Sequence, residues 1–325
     1  MTNSPAVPAV PAVLPAQGAI LLVDKAEGWT SHDVVAKSRR ALGTRKVGHA
    51  GTLDPMATGL LVLGAGPSTR LLTHLVGLDK TYLTTIRLGS ATVTDDREGD
   101  RISTADPAAV EALTDDRIAR AAAELTGAIE QAPSAVSAIK VDGQRAYDRV
   151  RAGETVELKK RPVTVYAFEL GELVRTTDAD GAPVVDIEAT VRCSTGTYIR
   201  ALARDLGAAL GVGGHLTALR RTRVGPFDVA DAVETAALAQ GDPLPLLAPT
   251  VVATTLFPRL DLTAEQAVDL GNGKKLEFTE AGDAVPDAPL VAAIAPDERL
   301  VGLVELRRGR ARVVTNFPVA TEPSA

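Results

Sequence analysis

Strands and helices follow one another along this chain without regular alternation, and that irregularity is the feature that most constrains its fold. The apolar run Ala19-Ile20-Leu21-Leu22-Val23 reads as a buried strand, and Gly59 to Leu63 as another. Thr81 to Leu88 alternates like a strand. Val163 to Leu170 and Val184 to Cys193 are strands joined by the turn-like Asp178-Ala179-Asp180-Gly181. Between these lie helical stretches. Thr30-Ser31 offers an N-cap for a helix carrying Val34, Val35, Ser38 and Leu42, stopped by Gly43. Ser68 to Val76, Asp115 to Leu125, Gln144 to Ala152 and Thr197 to Leu210 read as further helices, the last ended by Gly211. Asp95 to Asp106 is acidic and polar, the composition of an exposed loop. A doubly wound parallel sheet needs strict strand–helix–strand repetition, so the pattern predicts an α+β fold with a mixed or antiparallel sheet.

Residues 1–16 repeat Ala-Val-Pro, which favours extended polyproline II and predicts a disordered tail. Proline and alanine crowd again over 229–250, and a boundary is expected there. Residues 17–250 then form the main domain. Residues 251–325 form a small β-rich module, with a helix at Thr263 to Leu270 and strands at 290–294, 300–306 and 311–315. No apolar run approaches the roughly 20 residues that span a bilayer. The first residues lack the basic stretch and continuous apolar core of a secretory signal. Cys193 is the single cysteine, so neither an internal disulfide nor a cysteine-based zinc cage can form, and the chain suits a reducing cytoplasm.

The net charge of −6 argues mildly against nucleic acid, but the charge is uneven. Residues 17–80 hold eight basic and five acidic side chains, and 136–226 hold fourteen and eleven. Residues 81–135 hold five and ten, and 227–325 eight and fifteen. Two basic blocks separated in sequence leave room for a local basic cleft on an acidic protein.

The stretch from Lys46 to Gly59 is the most unusual. Gly48, Gly51 and Gly59 flank His49, Thr52, Asp54 and Thr58. Glycine allows close approach of a ligand, and an aspartate before proline is held extended. The loop is therefore suited to presenting Asp54 outward in a fixed pose, although a tight turn with a backbone-bound carboxylate is the commoner fate of an Asp-Pro pair.

Gly48-His49-Ala50-Gly51-Thr52-Leu53-Asp54-Pro55-Met56-Ala57-Thr58-Gly59 resembles the signature loop of the TruB family of pseudouridine synthases, which modify the T arm of tRNA. Leu22-Val23-Asp24-Lys25 with Gly28-Trp29-Thr30-Ser31-His32-Asp33 resembles that family's first motif, and Lys80-Thr81-Tyr82 its second. Ala132 to Lys140 and Gly143 to Tyr147 resemble its middle segment, and Cys193 to Arg200 its third motif. Gly214-His215-Leu216 through Leu219-Arg220-Arg221 resembles its last. The motifs occur in family order over roughly residues 18–226.

The resemblance implies a pseudouridine synthase catalytic domain with a PUA-like C-terminal module. It implies Asp54 as the catalytic carboxylate, Tyr82 stacked on the target base and Arg200 paired with Asp54. Tyr198 and Leu219 would line the pocket, His49 would touch the rearranged RNA loop, and Lys25 would lie at the pocket's edge. Without it, Tyr82 reads as a core strand residue and Arg200 as a solvated helix residue. The implied substrate is the T-arm uridine at tRNA position 55, handled by a monomer without guide RNA.

Isomerising a uridine involves no redox change and loses no group, so neither cofactor nor metal is required. A carboxylate is needed, as a nucleophile on base or sugar or as a base that takes a sugar proton. His32, His49, His74 and His215 form no metal-binding spacing. Gly64-Ala65-Gly66-Pro67-Ser68-Thr69-Arg70 lacks the phosphate-loop pattern and reads as a strand-to-helix turn. Arg220, Arg221 and Arg223 adjoin a matched motif and are candidates for RNA contact, whereas Lys159-Lys160-Arg161 reads as a solvated loop. A synthase acting on another or guide-directed RNA, a non-catalytic tRNA-folding chaperone and a metal-dependent RNA hydrolase are the alternatives, the last without a ligand cluster to support it.

Overall fold

The computed structural model describes residues 14–134, 140–141, 144–145, 159–240, 243–278, 286, 288–307 and 309–317. Most of the expected tail, the C-terminal part of the expected helix over Gln144 to Ala152 and parts of the middle motif lie outside the described residues. Gln144 and Arg145 themselves pair as a short antiparallel strand with Lys140 and Val141, not as a helix.

The chain begins with Ala19–Lys25 (β1), Ser31–Ala41 (α1), Val47–His49 (β2) and Thr58–Ala65 (β3). A 3-10 turn, Gly66–Leu71, leads into Leu72–Val76 (α2) and Lys80–Leu88 (β4). Asp115–Glu124 (α3), Gly127–Gln131 (β5), Arg161–Thr177 (β6) and Pro183–Cys193 (β7) follow. Next come Ile199–Leu210 (α4) and Gly214–Val224 (β8). The C-terminal stretch holds Pro249–Leu256 (α5), Arg259–Asp261 (β9), Ala264–Gly271 (α6) and Leu276–Glu277 (β10). Leu290–Ile294 (β11), Leu300–Arg307 (β12) and Arg310–Asn316 (β13) complete it. No described helix is long and apolar enough to cross a membrane.

Two compact units emerge. One combines the residues up to Leu53, Leu61–Val76 and those from Asp231 onward; the other combines Asp54–Leu60 with Gly77–Ala230. Strand β3 thus passes from the second into the first partway along its length.

In the second unit, Thr58 and Gly59 pair in parallel with Arg220 and Arg221 of β8. From β8 the sheet runs through β4, β7 and β6 to β5, each pair antiparallel. One parallel pair among antiparallel ones gives the mixed α+β sheet expected from the sequence. Along β4 the side chains of Lys80, Tyr82, Thr84, Ile86 and Leu88 are buried while those between are not, the period-two alternation of a half-covered antiparallel strand. Helix α4 buries Ile199, Leu202, Leu206 and Leu210, an apolar stripe at helical spacing. It lies very close to the turn that starts β8, because Gly207 has no side chain there. A Cβ at Gly207 would stand 2.1 Å from the Gly213 carbonyl carbon, and one at Gly214 2.4 Å from the Ala203 oxygen.

The structure corrects two further sequence expectations in this unit. Residues 214–224, where no strand was expected, form β8, whose register slips between Leu216 and Ala218 and between Arg221 and Arg223. Asp95 and Asp96, placed in an exposed loop, are buried. Their burial follows from the tight turn at Asp95 (φ 59°) and from the arginines that meet them.

In the first unit, β1 lies between β3 and the short strand Val233–Glu234. It is parallel to that strand and antiparallel to Leu246–Leu247. Leu21, Val23, Val34, Val35, Leu61, Leu63 and Leu246 share one core cluster. Helix α1 opens with a capping box: the Thr30 hydroxyl accepts from the Asp33 amide, and the Asp33 carboxylate accepts from the Thr30 amide at 2.9 Å. The C-terminal stretch forms a second sheet in the order β9-β11-β12-β13-β10, with its own core around Leu260, Leu270, Val291, Val301 and Val304. Polar bonds join this sheet to earlier residues of the same unit. Gln17 Nε2 donates to the Leu300 carbonyl at 2.8 Å, and Arg70 Nη1 to that of Asn316 at 2.6 Å. The His74 ring meets Phe257 edge-on at 5.4 Å.

In an exposed helix interior, alanine is favoured over glycine by about 1 kcal/mol. At Gly207 the sign should invert, because the new methyl collides with backbone that cannot swing away. Gly207→Ala is expected to lose about 1–3 kcal/mol, measured as a lower urea midpoint with an unchanged slope.

Candidate active site

The Asp54 loop is built on a short hairpin. Val47, Gly48 and His49 of β2 pair with Ala65, Gly64 and Leu63 of β3, and the Ala50 amide donates to the Val62 carbonyl at 2.9 Å. Ser31, in the first turn of α1, then fixes the residue before the aspartate. Its buried hydroxyl accepts from the Leu53 amide at 2.9 Å and donates to the Leu53 carbonyl at 3.1 Å. One side chain thereby satisfies both polar groups of Leu53. Beyond it the Ala57 amide donates to the Asp54 carbonyl at 3.1 Å, closing the turn around Pro55.

The Asp54 carboxylate faces Arg200, with Nε 3.1 Å from Oδ2. The two groups differ in exposure: the Arg200 side chain is 7% exposed and that of Asp54 38%. A buried cation thus holds a carboxylate that stays open to a ligand. Arg200 is itself held from behind, its Nη1 lying 3.3 Å from Asp96 Oδ2 and donating to the Thr94 carbonyl at 2.8 Å. Asp96 in turn accepts from the Thr94 hydroxyl at 2.5 Å and the Glu98 amide at 3.0 Å. Its neighbour Asp95 accepts from the Ser134 hydroxyl at 2.5 Å and pairs with Arg204 at 3.2 Å. Burial, which disfavours the charged form, pushes the Asp95 carboxyl up.

Tyr198 precedes α4 and is clamped as Leu53 is. The Tyr198 amide donates to Gln131 Oε1 at 2.8 Å, and Gln131 Nε2 donates to the Tyr198 carbonyl at 3.1 Å. Its peptide, and with it the start of the helix that carries Arg200, is anchored to the end of β5. Burial also pushes the Tyr198 hydroxyl up.

Tyr82 and Leu219 lie on one face of the sheet, because Tyr82 is directly paired with Arg221 and Thr84 with Leu219. All of these are buried. Arg221 stands directly opposite Tyr82, and its Nε donates to the Leu60 carbonyl at 2.8 Å. With 1% exposure, Arg221 is closed to solvent. The sequence made it a candidate for RNA contact; the fold instead buries it opposite Tyr82, bound to the Leu60 carbonyl. Beside it, the Lys80 ammonium donates to the Leu78 carbonyl at 2.6 Å. Burial, aided by Arg221, brings its pKa down to about 8. Burial also pushes the neighbouring Cys193 thiol up to about 11, so it is a protonated core group.

Lys25 and His49 belong to the first unit. Lys25 is fully buried, and its ammonium donates to the carbonyls of Trp29 at 2.6 Å and Ala26 at 3.1 Å. His49 lies in β2 with its ring edge-on to His32 at 6.2 Å. The second unit brings Asp54, Arg200, Tyr198, Tyr82 and Leu219 together by fold. Ser31, Gln131, Asp96 and Arg221 support these residues but were not assigned that role from the sequence. No local pattern marks Gln131 or Ser31. Arg221 lies within a matched motif, but nothing local shows its burial. Among the described residues, no group of three or more His, Cys, Asp or Glu side chains is placed to hold a metal ion.

Lys80 gives a measurable pH signature. Its folded pKa lies near 8 and its unfolded value near 10.5. Both states are charged below pH 8, where the cost of burying the charge is full. Above pH 8 the folded state releases its proton first, so stability should rise between pH 8 and 10.5. The full shift is worth at most about 3 kcal/mol. Lys80→Met should be more stable than wild type at pH 7.5 and lose that advantage by pH 10 in paired urea titrations.

Comparison with known families agrees with this architecture. Residues 39–199 match the TruB family pseudouridylate synthase N-terminal domain. Residues 200–242 match the tRNA pseudouridylate synthase B C-terminal domain, and 257–318 the tRNA pseudouridine synthase II C-terminal region, the PUA-like module. The tRNA pseudouridine synthase B of Leifsonia xyli is 60% identical over 300 residues, covering 92% of this chain and 96% of that protein. That of Thermobifida fusca is 52% identical over 303 residues, covering 92% and 98%. Among solved structures, an H/ACA RNP bound to a substrate RNA containing 2′-deoxyuridine shares the fold, with TM-score 0.64 at 23% identity over 93% of this chain and 86% of that one. The archaeal box H/ACA Nop10–Cbf5 complex does so at TM-score 0.63 and 24% identity, over 95% and 89%. The chain belongs to the TruB family of pseudouridine synthases, enzymes of the isomerase class.

Proposed function

We propose that this chain isomerises the T-arm uridine at tRNA position 55, as a cytoplasmic monomer that needs no guide RNA, with Asp54 as its catalytic carboxylate. The observation that carries the reading is the partly open Asp54 carboxylate held at 3.1 Å by the buried Arg200. The reaction breaks the N1–C1′ bond of uridine, rotates the base and joins C5 to C1′. The proton on C5 is lost and N1 gains one, so the product is an isomer. The step calls for an ionised carboxylate at the sugar or the base. A neighbouring guanidinium stabilises that charge in a partly desolvated site.

The target base must leave its RNA stack first. Extrusion costs a few kcal/mol, and stacking on an aromatic face offsets part of it. Tyr82 is suited to receive the base, since its side chain is packed in the sheet and little side-chain entropy remains to be lost. Tyr198 and Leu219 would complete an apolar lining around the uracil. His49 would meet the rearranged RNA loop. A chemistry of this kind needs no cofactor, because every proton and electron pair stays within the uridine, the carboxylate and water.

Tritium release from 5-tritiated uridine in unmodified tRNA tests the reading. Wild type should release one tritium per tRNA, and an isolated T-arm hairpin should also react without any added RNA. Asp54→Asn, confirmed folded, should fall by a factor of about 1,000 or more. Equal release from both proteins would remove Asp54 from the chemistry. Arg200→Lys keeps the charge but loses the planar fork, and kcat is expected to drop by about 100-fold.

A further inference from the structure

The first unit carries a shallow recess on α1 that the proposed reaction does not use. It is lined by Gly28, Trp29, Asp33, Ala36, Lys37 and Arg40 and encloses about 370 Å³. That is at the small end of the roughly 300–1,000 Å³ usual for small-ligand sites. Residues 33, 36, 37 and 40 share one helix face by their spacing, and Ala36 keeps the floor of that face low. The indole of Trp29 forms one wall. It is partly buried against the cluster that contains Val34 and Leu21. Its own carbonyl is held by the Lys25 ammonium at 2.6 Å. The aromatic surface is therefore preorganised.

The charges of the recess are unusual for this protein. Residues 31–46 contain five Lys or Arg and one Asp, in a chain with six more acidic than basic residues. Asp33 stands four residues before Lys37, a spacing that normally allows an ion pair. Its carboxylate is instead committed to the helix cap, accepting from the Thr30 amide at 2.9 Å and hydroxyl at 2.6 Å. Neither Lys37 nor Arg40 forms an ion pair or side-chain hydrogen bond among the described residues. The C-terminal sheet shows the opposite arrangement. There Arg259 pairs with Asp261 and Glu298, Arg310 with Glu277, and Arg307 and Arg312 with Glu305. In that module the arginines are answered by its own carboxylates, whereas on α1 two cations beside an aromatic wall form no ion pair with the one carboxylate of the recess, Asp33.

We propose that this recess holds one unstacked nucleotide of the RNA substrate, its base against Trp29 and its phosphate between Lys37 and Arg40. An aromatic face next to cations is the arrangement that grips single-stranded nucleic acid with little regard for sequence. The proposal rests on the RNA-modifying function above but concerns binding and not chemistry.

Trp29 is the only tryptophan in the chain, so intrinsic emission reports on this recess alone. Full-length protein is titrated with unmodified tRNA, with binding followed separately by filter retention. Saturable quenching that tracks retention is the expected result. In the Lys37→Ala/Arg40→Ala variant, neutralisation of that phosphate is lost, and the slope of log Kd against log salt should shrink by about 1. Unchanged emission while tRNA is retained would overturn the proposal, and so would an unchanged slope in the double variant. Equal quenching by polyglutamate would also overturn it, since the recess would then take acidic chains without a base. Tritium release by the wild type is read in parallel. It tests the catalytic function on its own, so failure of the recess and failure of the reaction are told apart.

Discussion

A buried arginine organises the catalytic side of this protein. Arg200 lies almost wholly out of water, where an unpaired guanidinium would be prohibitively unstable. The fold answers with Asp54 in front, Asp96 behind and the Thr94 carbonyl beside it. Those demands explain much of the surroundings. The turn at Asp95 takes a left-handed conformation so that Asp96 can point inward while Asp95 reaches Ser134 and Arg204. The helix bearing Arg200 is pinned at its start by Gln131 and sits tightly on β8 through Gly207. The outcome is a polar network in which the carboxylate nearest solvent is the one with room to react.

Two peptide clamps recur in the chain. Ser31 binds both polar groups of Leu53, and Gln131 both polar groups of Tyr198. Each anchors the residue just before a functional segment, on one side the aspartate loop and on the other the arginine helix. Fixing backbone in this way limits the conformations that Asp54 and Arg200 must give up when a ligand arrives, which is what preorganisation means energetically.

What was legible in the sequence follows from how local each signal is. The Asp54 loop stood out because its glycines and Asp-Pro pair lie within a dozen residues. The helix ending at Gly211 was plain because a left-handed cap and an apolar stripe sit on one segment. Strand β8 was not, since two slips in register break its alternation and three arginines give it the look of surface. Asp95 and Asp96 looked exposed for the same reason: composition reports polarity, while burial here depends on Arg200 and Arg204, more than a hundred residues away. Arg221 looked like an RNA contact because its partners, Tyr82 and the Leu60 carbonyl, are far from it in sequence.

The route of the chain through its two units bears on how the protein is made. Synthesis proceeds from the N-terminus, and domains tend to fold as their residues emerge. The unit holding Asp54 and Arg200 is complete once Ala230 has left the ribosome. The other is not, although it contains the first of the described strands, because β1, besides pairing with β3, takes partners from Val233–Glu234 and Leu246–Leu247. For the time needed to translate some 210 residues, an apolar strand has an open edge that nothing later in the chain can yet cover, the exposure that invites misplaced pairing. A strand made early is thus among the last to be secured, and Val233–Glu234 and Leu246–Leu247 have a duty in assembly that is separate from any contact with RNA.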